Sequence, residues 1–551
     1  MTTATTSTST PPSSPASSAA DSPATFISTA IPFVNAEPHL GFAYELVLAD
    51  ILARHRRRRG DDVFFVTGTD DNSLKNVAAA AKENLPTREL VARNSGAFRA
   101  LVPLLDVSTD DFLATSSDPR HRPAVERVWR ACLARGDLYT RAYTGRYCAG
   151  CEAFLDDARC DEHDAEPELV SETNWFFRLS RYRDELRALI ESNTVRIVSD
   201  AARSETLAFL SGDVRDISVS RDATRAKGWG IPVPDDPSQV IYVWFDALTN
   251  YLSALGLASD RARFDRFWGA HTHHDGPAHV GARTHVIGKG ITRFHAAYWL
   301  AFLRSADLPL PTTIAVHGYL TVDGKKISKS HNPAPVPPVV ERWGVDPARW
   351  FLARHCRTRV DSDVPRDTIG DAYDRDLAHR LGNLVQRTIA LVAKLGTAPG
   401  SSSPSSRSSP SSNLDDQRIL VPAARETPDT LALRAIAEAL PARVDTALAA
   451  FVPDDAASAI VELLDAANRY LDRVAPWRLA RTDRDAALAA LYAPLEAARF
   501  ATGELAPFVP GVASTIAQRL GDPDLTPTWG VLRPGSALRG GPPPLPRTAA
   551  R

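Results

Sequence analysis

Three short stretches hold side chains whose types and spacing can do chemistry. "EPHLGF", residues 37–42, puts His39 and Gly41 where a helix should begin. Backbone N–H groups at a helix start face an anion, Gly41 lets a nucleotide approach the backbone, and His39 can donate to phosphate oxygens. A lone His-x-Gly at a helix start is also common without any function. "DGKKISKS", residues 323–330, places Lys326 and Lys329 around Ser328. Two mobile ammonium groups can neutralise charge building on a triphosphate as pyrophosphate leaves. A solvated basic loop is the bland alternative. The third stretch pairs Cys148 and Cys151 as C-x2-C, then Cys160 and His163 as C-x2-H. Four protein ligands so spaced favour a tetrahedral, structural Zn²⁺, against a redox pair or unrelated thiols.

These stretches need a scaffold. "TFISTAIPFV", "DDVFFVTGTD", "THVIGKG" and "TTIAVHGYL" are short, apolar and bounded by turn residues, with helical stretches between them. That alternation predicts βα units around a parallel sheet. A helix is expected over residues 39–59, ending in Arg56 to Arg59 and stopped at Gly60, with the cations complementing its dipole. Residues 428–520 are Ala/Leu-rich, and Ile460, Leu463, Leu464, Ala467 and Leu471 share one helical face, which predicts a bundle.

The chain has 551 residues, too many for one core, so two to four domains are expected. A net charge of −2 rules out a global basic field, so any nucleic acid must be met by local patches. Five cysteines are too few for a disulfide scaffold and suit a reducing cytoplasm. Cys132 and Cys356 are read as ordinary partly buried residues. No stretch has the apolar length of a membrane span. Residues 1–24 read as a disordered tail, 396–427 as a flexible linker, and 534–551 as a second tail.

"HLGF" together with "KISKS" resembles the two signatures of class I aminoacyl-tRNA synthetases, and more narrowly those of methionyl-tRNA synthetases. "AIPFVNAEPHLG", "YCAGCEAF", "TNWFFRLSRY", "WGIPVPDDPSQVIYVWFDAL", "HVIGKGITRFHAAYW" and "ANRYLDRVAPW" follow in that family's order, from about residue 25 to about 480. The resemblance implies an α/β, Rossmann-type parallel-sheet catalytic domain with a zinc-knuckle insertion, followed by an α-helical anticodon-binding bundle. The boundaries it implies are 25–125 and 226–345 for the catalytic halves, 126–225 for the insertion and 346–375 for a connector. The bundle takes 376–395 and 428–533.

The implied activity is ATP-dependent activation of methionine and transfer to a tRNA bearing a CAU anticodon, with Mg²⁺ accompanying ATP and Zn²⁺ structural. The resemblance assigns catalysis to His39, Lys326 and Lys329, joined at ATP by Gly41 and Ser328. It assigns the amino-acid pocket to Ala30, Ile31, Phe33, Asp70, Trp244, Ala247, Tyr251, Ile291 and His295, and the anticodon to Asn383, Arg387 and Trp477. Asp70 at a strand end can hold an α-ammonium, and Phe33, Trp244 and Tyr251 suit a thioether. Read alone, Asp70 capping a turn and Trp244 as plain core are the favoured readings, and Trp477 could equally be a buried aromatic. A monomer is expected, since no extra domain is recognisable after the bundle.

Several positions depart from the family pattern. Phe42 stands for the second histidine of the signature and Phe33 for a pocket tyrosine. Asp71, Asn72 and Ser73 replace Glu-His-Gly, Leu248 replaces a proline, and Gly290 stands where an Asp often faces the ribose. These changes surround ATP and the amino acid. They keep open a ligase that hands its acyl group to a small-molecule acceptor without tRNA. A non-catalytic tRNA binder is the third class, and it has little use for the lysine pair.

Overall fold

The computed structural model describes residues 22–148, 153–155, 159, 166–269, 281–327, 334–365, 367–396, 419–521 and 525–548. At its centre lies a six-stranded, wholly parallel sheet. Its strands are β1 (Ala24–Thr29), β2 (Asp62–Thr69), β3 (Asp111–Ala114), β7 (Arg196–Val198), β8 (Arg283–Gly288) and β9 (Thr313–His317), in the spatial order β3-β2-β1-β8-β9-β7. Every residue of β1, ATFIST, is buried, as expected of a parallel strand covered on both faces. The chain leaves β1 to build β2 and β3 on one side, and later returns to build β8 and β9 on the other. The crevice between β1 and β8 is therefore the switch point where ligands bind in such sheets.

Helix α1 (Leu40–Arg58) follows β1. His39 is its N-cap, with Nδ1 accepting from the Gly41 N–H at 3.1 Å. Its last turn carries His55, Arg56, Arg57 and Arg58, and Gly60 follows at a φ of +94°. Helix α2 (Thr87–Leu104) covers α1 from the β2 side. A second sheet is built from β4 (Leu138–Cys148), β5 (Ala153–Leu155), β6 (Glu168–Phe177) and Ile217–Ser218. The insertion expected over 126–225 is therefore not one excursion. Residues 196–198 within it return to the central sheet as β7, paired to β9. A strand of three residues is too short to leave a periodic signal.

Beyond the sheet, α3 (Val243–Leu248) precedes the return through β8, and α4 (Val345–His355) opens the stretch read as a connector. The bundle comprises α5 (Asn383–Gly396), α6 (Pro428–Ala449), α7 (Pro453–Val474), α8 (Tyr492–Leu505) and α9 (Pro510–Leu520). Ile460, Leu463, Leu464, Ala467 and Leu471 are all buried, as their spacing predicts. Cys132 and Cys356 are fully rather than partly buried. Among the described residues no helix is long and apolar enough to cross a membrane.

Two low-complexity readings need correction. Residues 419–420, inside the expected linker, pair with Ala537–Leu538, inside the expected tail. Residues 397–418 and 549–551 lie outside the described residues. The terminal segment is held by polar anchors that composition does not reveal. Buried Glu496 accepts from the backbone N–H groups of Gly530, Val531 and Leu532. Arg519 donates to the Gly540 and Pro542 carbonyls, Leu545 is buried beside Gly382, and Thr548 bonds Asp374.

A buried ion pair joins α1 of the sheet half to α4 and, through α4, to the turn before α9 of the bundle. Arg349 of α4 donates from Nη2 to Asp50 Oδ2 of α1 at 2.6 Å, and neither side chain is exposed. The guanidinium also donates to the carbonyls of Leu105, Pro507 and Phe508. Asp50 accepts in addition from Arg54 and from Ser108. Burial by itself would raise the Asp50 carboxyl, but Arg349, Arg54 and Ser108 hold it below the usual range. Arg349→Leu strips a buried carboxylate of its main partner and orphans three carbonyls. It should lower unfolding stability by about 3–5 kcal/mol, whereas Arg359→Ala, at the exposed Arg359–Asp455 pair, should cost less than about 1 kcal/mol. Urea denaturation of the two variants checks the contrast.

Candidate active site

A cavity of about 380 Å³ opens at the switch point. One wall is the end of β1 and the turn after it, with Ala30, Ile31, Pro32 and Phe33. The start of α1 contributes His39, Gly41, Phe42 and Glu45. Gly288, Gly290 and Ile291 follow β8, His317 to Leu320 follow β9, and Trp244, Lys326 and Ile327 complete the lining.

The two signature stretches meet here. The N–H of Leu40 donates to the Ala334 carbonyl at 2.8 Å, and His39 forms an isolated bridge with Pro335. Lys326 and Ile327 line the cavity from the other side of the loop. Ser328 and Lys329 lie outside the described residues, between these two anchor points. Because His39 Nδ1 accepts from Gly41, the ring nitrogen left to carry a hydrogen is Nε2. The helix start, the His39 ring and the Lys326 ammonium together make a cationic, donor-rich end to the cavity.

The amino-acid residues named from sequence separate into two groups. Ala30, Ile31, Phe33, Trp244 and Ile291 are on the cavity wall. Trp244 stacks on Phe294 with ring centroids 3.7 Å apart and meets Phe33 edge-on at 6.2 Å. Asp70, Ala247, Tyr251 and His295 are buried and are not on that wall. The Asp70 N–H bonds the Pro32 carbonyl, which ties the end of β2 to the turn bearing Phe33. Tyr251 Oη bonds His295 Nε2 at 2.8 Å, and His295 Nδ1 donates to the Ile291 carbonyl at 3.0 Å. Burial pushes the His295 imidazole down to about 4, so it is neutral and accepts the tyrosine proton. His295 sits on a π-helical turn, Phe294–Trp299, a widened geometry often found at functional sites.

Two departures have structural partners. Phe42 is 8% exposed and packs edge-on against Phe98 of α2, with centroids 5.1 Å apart. Asn72 donates to Asp246 Oδ2 at 2.8 Å, and Asp246 Oδ1 meets His121 Nε2 at 2.5 Å. That chain braces α3, which carries Trp244. Leu248 is buried in the same core.

Sequence reading missed Glu45, His317 and Tyr319. Glu45 Oε1 accepts from the Ala30 N–H at 2.8 Å, and its Oε2 meets His317 Nε2 at 3.0 Å. His317 Nδ1 meets the Gly318 carbonyl at 2.8 Å. The available signal was a lone carboxylate in the apolar run "AYELVLA", since a buried acid needs a specific partner.

The remaining assigned residues lie elsewhere. Asn383 and Arg387 are exposed one turn apart on α5. The Arg387 guanidinium lies 5.9 Å from the Trp477 ring centroid and pairs with Asp472, while Trp477 is 38% exposed. Cys148 is buried at the end of β4. Its pairing with Ala153 of β5 means that residues 149–152 join two directly paired strands. Cys151, Cys160 and His163 lie outside the described residues.

The model of the family described as tRNA synthetases class I (M) matches residues 25–163 and 155–389. The model described as the anticodon binding domain of methionyl tRNA ligase matches residues 422–536. The chain belongs to the methionyl-tRNA synthetases. Methionine–tRNA ligase of Brucella suis is 36% identical over 512 residues, covering 90% of this chain and 92% of the relative. That of Rickettsia conorii is 36% identical over 502 residues, with the same coverage. The structure of Mycobacterium tuberculosis methionyl-tRNA synthetase in complex with methionyl-adenylate superposes with a TM-score of 0.84 at 35% identity. It spans 95% of this chain and 100% of that one.

Two outcomes are expected for this family member. Phe42→His buries an imidazole against Phe98, so ATP–pyrophosphate exchange should not rise. Stability should fall by about 1–3 kcal/mol, read by urea denaturation beside the exchange assay. His295 has a folded value of about 4 against 6.5 in the unfolded chain, so the unfolded state takes up its proton first as pH falls. Its contribution is complete above pH about 6.5 and shrinks as pH drops to about 4, by up to about 3 kcal/mol. His295→Gln should flatten that part of the pH–stability curve, checked by denaturation at several pH values in that window.

Proposed function

We propose that the chain is a methionine–tRNA ligase, working in two steps. The methionine carboxylate attacks the α-phosphorus of ATP, forming methionyl-adenylate and releasing pyrophosphate. The terminal ribose hydroxyl of tRNA then attacks the acyl carbonyl and AMP leaves. The observation that carries this reading is that His39, Gly41 and Lys326 line one cavity together with Phe33, Trp244 and Ile291.

In this reading the α1 N-terminus and the His39 Nε2–H hold the α-phosphate, and Lys326, with Ser328 and Lys329, neutralises the leaving pyrophosphate. Mg²⁺ arrives with ATP as part of the substrate. Trp244, Phe33 and Ile291 contact the thioether, with Ala30 and Ile31 beside them. Tyr251, His295, Ala247 and Asp70 support that wall, and Asp70 is the carboxylate whose backbone N–H is bonded to Pro32 in the turn that the ammonium would meet. Cys148, Cys151, Cys160 and His163 would hold Zn²⁺, which cross-links the insertion. The spacing of the four residues, two pairs each separated by two residues, supports this. Asn383, Arg387 and Trp477 read the anticodon by edge bonds and stacking, which suits an exposed Arg–Trp pair. The setting is the cytoplasm.

Phe42 and Asn72 have packing and bracing roles, so those two departures no longer argue for a different acceptor. Exchange assayed with all twenty amino acids should select methionine, with charging of CAU tRNA. Lys326→Ala should slow exchange by roughly 10²–10³. Arg387→Ala with Trp477→Ala should impair charging while leaving exchange intact. Selection of another amino acid, or methionine activation without charging, overturns the proposal.

A further inference from the structure

Gly290 lines the cavity, and the space its missing side chain would fill is taken. A Cβ built there would lie 2.2 Å from Tyr319 Oη and 3.3 Å from its Cζ. Tyr319 comes from the end of the neighbouring strand β9 and lines the same cavity. Its ring is held from two sides, with Lys326 Nζ 3.7 Å and Lys289 Nζ 4.5 Å from the centroid. Lys289 is itself pinned to Asp361 at 2.8 Å, and the same Asp361 accepts from the Tyr319 N–H. Position 290 is thus small because a phenol from the next strand occupies its place, and that phenol is fixed by charge on both sides.

We propose that Tyr319 reads the ribose of ATP, its hydroxyl serving where no side chain at 290 can reach, and that Gly290 admits it. The inference rests on the adenylation reading for the identity of the nucleotide. The cationic end of the cavity at His39, Gly41 and Lys326 takes the phosphates, so the nucleoside extends along the ends of β8 and β9 toward Gly290 and Tyr319. The Lys289 ammonium there is committed to Asp361. A phenol offers one donor and one acceptor without charge, and a sugar hydroxyl can use both at once.

Equilibrium dialysis of the full chain with ATP, 2′-deoxy-ATP and 3′-deoxy-ATP tests this without requiring turnover, so it stands even where the choice of amino acid or acceptor is wrong. The unaltered chain should prefer ATP over at least one deoxy analogue by about 3–10-fold, the size of one neutral hydrogen bond. Tyr319→Phe should abolish that preference while binding the deoxy analogue as before. Gly290→Ala pushes the phenol away and should do the same. The double variant should be no worse than Tyr319→Phe, because the clash is with the hydroxyl. A preference that survives Tyr319→Phe overturns the proposal. So does equal weakening of all three nucleotides, which would mark Tyr319 as a support for Lys326 or a contact to the base.

Discussion

Asp50 and Arg349 meet out of contact with water, and the geometry of the whole molecule is tied to that contact. A buried pair is stable only when its remaining donors and acceptors are used. Here the guanidinium spans the end of α2, the turn before α9 and the carboxylate on α1. The same helix that begins at His39 carries Asp50 three turns later. The orientation of the cavity-lining start of α1 and the placement of the anticodon-binding bundle are therefore set along one helix. Farther along, Arg59 reaches Glu504 of α8 at 2.9 Å.

Between those two ends, Glu45 links the halves of the cavity. Its carboxylate holds the Ala30 N–H at the end of β1 and the His317 ring at the end of β9, both on the cavity wall. A shift of either strand end would break one of these bonds in a buried setting, where an unmade bond is costly. Behind Trp244 and Ile291 lies a second group of bonded polar side chains. Trp299 donates to His285 Nε2, so His285 Nδ1 is the nitrogen that donates to Ser28, and burial keeps this ring neutral as well. Tyr251 lies against His285 at 4.2 Å while bonding His295.

The bundle shows the same logic with a different result. Its helices follow from Ala/Leu periodicity, but its outer skin does not. Glu496 and Arg499 are buried three residues apart on α8, and both spend their bonds on the backbone of residues 526–532. That clasp turns a Gly/Pro-rich segment, which has no periodic pattern of its own, into an ordered strap. The strap closes with the pairing of Leu420 to Ala537 and the docking of Leu545 on Gly382.

The sequence by itself determined what local pattern can carry. It determined α1 and its cap, the apolar parallel strands, the five-residue bundle face, and the signature pair with the family it marks. His39, Gly41 and Lys326 were legible because each sits beside a turn whose chemistry is local. Only the tertiary structure decided what depends on which chain segments meet. It packed Phe42, on the cavity wall beside His39, against Phe98 of α2. It put β7 into the central sheet from within the insertion, and bound the Pro-rich end to Glu496 and Arg519. It set Tyr319 in the space that Gly290 leaves open. Each is a contact between residues far apart in the chain or on neighbouring strands. Periodicity and spacing report which face a residue occupies but not which group will be waiting there.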